Sequence, residues 1–192
     1  LTGKGEYKVD PVTETVDLGD FADALSGEGF EAELDFYRAN LALEVETNLG
    51  VAVNADMKLI PYYGGKAGES KAVKTKLALE PATSVDQNNV TRYWIADRTD
   101  GCPEGYKFVQ ADLVGLLKSM PEKLEVRLEA GTDPSRECVL VPGADYKLKA
   151  AYRFALPLEF GEDFCVTFKH TMEDVPAIVG QLVSNGKIRF VG

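Results

Sequence analysis

Hydrophobic and polar positions alternate with a period of two through much of this chain. The longest run sets Tyr146, Leu148, Ala150, Tyr152, Phe154 and Leu156 against Lys147, Lys149, Ala151, Arg153 and Ala155. Successive side chains of a strand point to opposite faces, so this beat predicts a strand with one buried and one wetter face. Antiparallel sheets packed on one side carry that pattern, whereas parallel strands buried on both faces are apolar throughout. The same alternation in Val73, Thr75, Leu77 and Leu79, in Leu124, Val126, Leu128 and Ala130, and in Phe164, Val166 and Phe168 predicts three more strands.

Between these runs the punctuation is informative. Leu41, Leu43 and Val45 are followed by Asn48-Leu49-Gly50, and the beat returns in Val51, Val53, Ala55, Met57 and Leu59 before Pro61. Asn and Gly accept the positive φ of turns and bulges, so residues 41–60 read as two strands or one long bent strand. An earlier alternation begins at Phe30 with Ala32, Leu34 and Phe36, and residues 90–95 (VTRYWI) are rich in β-formers. Residues 61–70 (PYYGGKAGES) read as a loop by glycine content, and Asp97 to Gly105 as a long irregular stretch. A helix is predicted over Ala111–Met120: Asp112 can cap it, Leu113, Leu116, Leu117 and Met120 share a face, and Pro121 ends it. Residues 1–29 are polar, with helical spacing only in Phe21, Ala24 and Leu25. At the other end Asn185-Gly186, between Val183 and Ile188, is a two-residue hairpin signal, although Val175, Ile178, Val179 and Leu182 would also suit a helix.

Many short strands, Gly/Pro turns and one short helix predict an all-β, mostly antiparallel β-sandwich. Its expected organisation is two Greek-key-like modules, residues 1–100 and 101–192, joined near 96–110. The competing arrangement is one continuous sandwich with the helix inserted. Ile188 and Phe190 look like the opening of the strand that Leu41–Val45 completes, the start of a second copy in a longer array. An apolar patch is then expected near that C-terminal strand, where a neighbouring module of the same polypeptide would dock.

Composition narrows the function classes. The 192 residues carry 21 Lys+Arg against 31 Asp+Glu, a net charge of −10 that disfavours nucleic acid and anionic membrane as partners. No apolar stretch approaches the roughly 18–20 residues of a membrane span. Three cysteines, Cys102, Cys138 and Cys165, allow one disulfide plus a free thiol, or three free thiols, and none lies at metal-ligand spacing from another. The chain begins at Leu1, which reads as a mature, proteolysed or excised segment.

No catalytic motif is present. His170 is the only histidine, with no G-x-S-x-G elbow and no H-E-x-x-H, and is read as a surface residue. Asp97, Asp100 and Glu104 enclose a glycine-bearing loop (DRTDGCPE); oxygen ligands on a loop suit Ca2+, while an Asp-Gly turn solvated by its own carboxylates is the plainer reading. No other cofactor is expected. Glu159, Glu162 and Asp163 could supply the paired carboxylates of a glycosidase, though a solvated turn explains them as well. The remaining candidates are aromatic: Tyr62-Tyr63 beside glycines, and Tyr93-Trp94 in a strand, where one ring must face out if the other faces in. Exposed rings bind sugar or protein by stacking and burial; rings that fill the core or cover a sheet end do neither.

The stretch Ala39–Leu59 (ANLALEVETNLGVAVNADMKL), a strand, an Asn-containing break and a second strand, resembles the late-embryogenesis-abundant-type β-sandwich. It is more similar to the modular sandwich lipoproteins of Bacteroidetes cell envelopes. The stretch Ala111–Thr171, ending in PLEFGEDFCVTFKHT, has the same character. The resemblance carries no catalytic residues. It implies an exported protein at the cell surface or in the periplasm, lipid-anchored upstream of Leu1, with a non-enzymatic binding or adhesion role toward protein or glycan. The alternative class is a polysaccharide-acting hydrolase, or its accessory domain, built on the acidic loops.

Overall fold

The computed structural model describes residues 2–3, 8, 10–19, 38–157 and 165–172, with Thr2, Gly3, Pro157 and Cys165–Met172 described by backbone alone. The expected features at Phe21–Leu25, Phe30–Phe36, Glu159–Asp163 and Val175–Phe190 lie outside these residues.

Two five-stranded sheets face each other, as the alternation predicts. Sheet one runs β12 (Cys165–Met172), β11 (Leu148–Pro157), β3 (Asn40–Thr47), β7 (Asn89–Ala96), β8 (Lys107–Gln110). Its neighbours are antiparallel except β7 and β8, which are parallel. Sheet two runs β2 (Val12–Asp17), β9 (Lys123–Thr132), β4 (Val53–Tyr63), with β6 (Val73–Leu79) and the two-residue β5 (Lys66–Ala67) pairing successive parts of β4. A small ribbon joins β1 (Thr2–Gly3) to β10 (Cys138–Val139). The 100/101 boundary does not separate the sheets, because β3 pairs with β11, β4 with β9 and β7 with β8.

Odd-numbered positions of β3, β4 and β7 and even-numbered ones of β9 and β11 fill the space between the layers. Leu41, Met57, Leu59, Ile95, Leu124 and Phe154 are each at most 5% exposed. Helix α1 (Leu113–Leu117) adds Leu113, Leu116 and Leu117 to the same core. Asp112 caps α1 as expected, its carboxylate accepting the Gly115 N–H at 2.7 Å. The helix is shorter than residues 111–120. The turn after Leu117 closes with the Met120 N–H on the Leu117 carbonyl at 2.7 Å and Met120 in the left-handed region that ends helices, at φ 48°.

Several local expectations are corrected. Residues 41–60 form two strands in different sheets, and the break between them works through a side chain rather than a positive φ. The Asn48 amide donates to the carbonyls of Val85 and Asp145, both at 2.9 Å, and accepts the Lys147 N–H at 2.7 Å. Pro61 does not end β4, because it lies where the partner on one side changes from β6 to β5 and the ladder there is already broken. The expected loop at 61–70 contains a tight hairpin in which Gly64 (φ 53°) and Gly65 (φ 72°) supply the two positive φ values such a turn needs. The Glu122 carboxylate accepts both glycine N–H groups. The strand expected from Tyr146 begins later: β11 starts at Leu148, and Tyr146 packs instead with Leu49, Val85 and Leu140. The region read as featureless before residue 29 includes β2.

Candidate functional site

Tyr93 and Trp94 occupy opposite faces of β7, yet both are buried, at 3% and 6% exposure. The rule that one ring must face solvent fails because the outer face of sheet one is covered there. The chain leaving β7 turns back as β8 and carries Cys102, Tyr106 and Phe108 over Trp94. The Tyr106 ring meets the indole edge-on, with centroids 6.2 Å apart. On this face the Trp94 Nε1 and the Asn40 Oδ1 are buried without hydrogen-bond partners among the described residues. Tyr93 faces the inter-sheet core, and its hydroxyl bonds both backbone groups of Ala78, accepting from the N–H at 3.0 Å and donating to the carbonyl. Burial pushes the Tyr93 hydroxyl up from its ordinary pKa. Neither ring is offered to a ligand.

Tyr62 and Tyr63, at the end of β4, are half-buried. Tyr62 lies on the outer face of sheet two, donates its hydroxyl to the Glu125 carboxylate at 2.8 Å and has the Lys123 ammonium 4.3 Å from its ring centre. That shared proton raises the Tyr62 pKa and lowers that of Glu125. Tyr63 turns the other way, with Lys71 Nζ 4.9 Å from its ring centre and a buried hydroxyl that has no hydrogen-bond partner among the described residues.

Among the described residues, no group of three or more His, Cys, Asp or Glu side chains is placed to hold a metal ion. Asp100 and Glu104 are exposed, while Asp97 is turned inward. Its Oδ2 accepts the N–H groups of Leu113 and Val114, both at 3.0 Å, which ties the end of β7 to the start of α1. Burial, with the Asp112 carboxylate beside it, raises the Asp97 pKa. His170 sits opposite Tyr152 in the β11–β12 ladder. Cys102 and Cys138 are free thiols.

Two concavities among the described residues bear on function. One is an open depression of about 450 Å³ on the outer face of sheet two, floored by β6, β4 and β9. Strand register places Lys74 opposite Lys58 and Lys58 opposite Arg127, with Lys76, Asp56 and Glu129 in the next row. Like charges directly opposite one another destabilise a sheet unless neutralised. Here Lys58 pairs with Glu69, Arg127 with Glu125 at 2.7 Å, and Lys76 lies 4.0 Å from Asp56. Lys74 forms no ion pair among the described residues. The other concavity, about 100 Å³, lies between the sheets and is lined almost wholly by hydrocarbon. Sequence reasoning missed both. Only register shows that Lys58 and Arg127 stand beside the lysines of β6.

No family model matches the chain, and no curated protein matches it. A solved structure, that of a proposed secreted protein from Parabacteroides distasonis ATCC 8503, a member of the Bacteroidetes, is similar at 16% identity with a TM-score of 0.42. The similarity covers 77% of this chain and 53% of that one, so the chain spans about half the length of the protein it matches.

Proposed function

We propose that this chain is a non-enzymatic binding module of an exported cell-envelope protein, and that it engages an acidic glycan or protein through the outer face of sheet two. One observation carries the reading: three strands present Lys74, Lys58 and Arg127 in a single row across an open depression, in a chain whose net charge is −10. The row is set against the charge of the whole molecule, and Lys74 is left to meet a charge from outside. Tyr62 lies on the same sheet face and adds a partly exposed ring.

The hydrolase alternative requires two carboxyls facing each other across a cleft, about 5–10 Å apart. Of its two acidic loops, the one at Asp97 spends that carboxylate on α1 and the one at Glu159–Asp163 lies outside the described residues, while the inter-sheet cavity has a single carboxylate among the described residues of its wall. Retention of the protein on immobilised acidic polysaccharide, falling as salt is raised, is the expected behaviour, and Lys74→Glu should weaken retention at least fivefold. Equal retention of the variant, or release of reducing sugar from the polysaccharide, overturns the proposal. A lipoprotein-type export signal in the full-length gene would support the envelope assignment, and a cytosolic gene product would remove it.

A further inference from the structure

The cavity between the sheets is walled by six strands, and its apolar lining includes Leu43, Met57, Leu77, Leu128 and Phe154. Protein interiors pack with few voids larger than a water molecule, so about 100 Å³ of free space inside a small sandwich is a feature in its own right. By the same measure a single water needs roughly 10–15 Å³ and two or more polar partners. The wall supplies too few polar groups for a water cluster. A dry apolar cavity of about 150 Å³ accepts benzene, which sets the scale of the guest.

Two groups in the wall are not hydrocarbon. Glu14 lies on the inward side of β2 between Val12 and Val16, and the Tyr152 phenol lies on β11. The two are close enough that the Glu14 charge adds to burial in raising the Tyr152 pKa. Among the described residues no lysine, arginine or histidine lines the cavity, and Glu14 carries the one formal charge.

We propose that the inter-sheet cavity is a binding site for a small hydrophobic molecule whose polar end is an amine or an alcohol, with the hydrocarbon body seated among Met57, Leu128 and Phe154 and the polar end at Glu14. A carboxylate-headed guest is repelled by the same group. The site is independent of the charged depression on the outer face of sheet two, so either proposal can fail without the other. Glu14 has a competing role, since an inward-pointing charge on an edge strand blunts pairing with a second chain.

The test is calorimetric titration of the intact chain with benzylamine, benzyl alcohol and benzoate. Benzylamine and benzyl alcohol should bind saturably, and benzoate at least tenfold more weakly. Ala55→Leu fills the cavity from β4 and should abolish binding of all three with the far-ultraviolet dichroism intact. Ala150→Leu makes the same test from the opposite sheet should the first variant fail to fold. Glu14→Gln should retain benzyl alcohol binding and bring benzoate level with benzylamine. No binding to the wild-type chain, binding that survives cavity filling, or benzoate equal to benzylamine in the wild type would each overturn the proposal. So would a Glu14→Gln variant that self-associates with its ligand preference unchanged, since Glu14 is then an edge guard only.

Discussion

The Tyr93 hydroxyl, on sheet one, bonds both the N–H and the carbonyl of Ala78, on the outer strand of sheet two. Among the described residues β6 pairs with β4 alone, so these two backbone groups would otherwise face outward from an open edge. One phenol thus ties the layers together and occupies a pairing position that a second chain could use. Tyr93→Phe keeps the ring and removes both bonds. A loss of about 1–3 kcal/mol in urea denaturation is expected, with more self-association at high concentration. A variant as stable as the wild type would mean that water replaces the hydroxyl at no cost.

The two faces of β11 should respond very differently to truncation. Phe154 is 2% exposed in the main core, whereas Arg153 is exposed on the other face. Phe154→Ala should cost about 3–5 kcal/mol, the usual penalty for emptying an aromatic site. Arg153→Ala should cost well under half of that. Equal effects would mean that the inward face has been misassigned.

Asn48 holds three backbone groups from two distant segments, and no other side chain substitutes for a terminal amide that both donates twice and accepts. Asn48→Asp keeps the acceptor for Lys147 but sets a carboxylate against the Val85 and Asp145 carbonyls. A destabilisation of about 2–4 kcal/mol follows from leaving buried groups unpaired or repelled. It should be read by denaturant midpoint at unchanged m-value, since a changed m-value would indicate a different denatured or native state.

Asp97 has a pH dependence of definite sign. Its folded pKa is raised, chiefly by burial, so folding favours the protonated form. The stability tied to that proton is complete below the unfolded aspartate pKa and is lost as pH rises through the folded value. Asp97→Asn keeps an oxygen for the Leu113 and Val114 N–H groups and offers Asp112 a donor. The variant should melt higher than the wild type at pH 7, and the gap should close as the solution is acidified below about pH 4. A gap that widens on acidification would reverse the assignment.

What the sequence disclosed was the part of the fold written in side-chain alternation. β6 and β9 fall where Val73–Leu79 and Leu124–Ala130 place them, because one buried face forces a period of two. β2 was hidden because its inward row is Val12, Glu14, Val16, and the charge in the middle breaks the pattern. β8 is four residues long with one partner, too short for any periodicity to register. That Tyr93 and Trp94 are both buried escaped for a different reason. Alternation tells which face a residue is on, but not whether the chain later returns to cover that face. The cationic row is likewise a product of register, which joins Lys74, Lys58 and Arg127 from segments far apart in sequence.

Sheet one sets the order in which this chain can become a protein. β3 lies between β7 and β11, and Thr47 waits for the Lys147 carbonyl, 100 residues later. During synthesis, Leu41, Leu43 and Val45 therefore leave the ribosome long before both neighbours exist. Non-local pairing of this kind folds slowly, because loop closure must precede any reward. Until Phe154 has emerged, the nascent chain carries an apolar strand with an unpaired side, the kind of segment that holding factors recognise and that aggregation exploits. Sheet one is consequently closed only after residues 148–157 have been made, however early β3 appears.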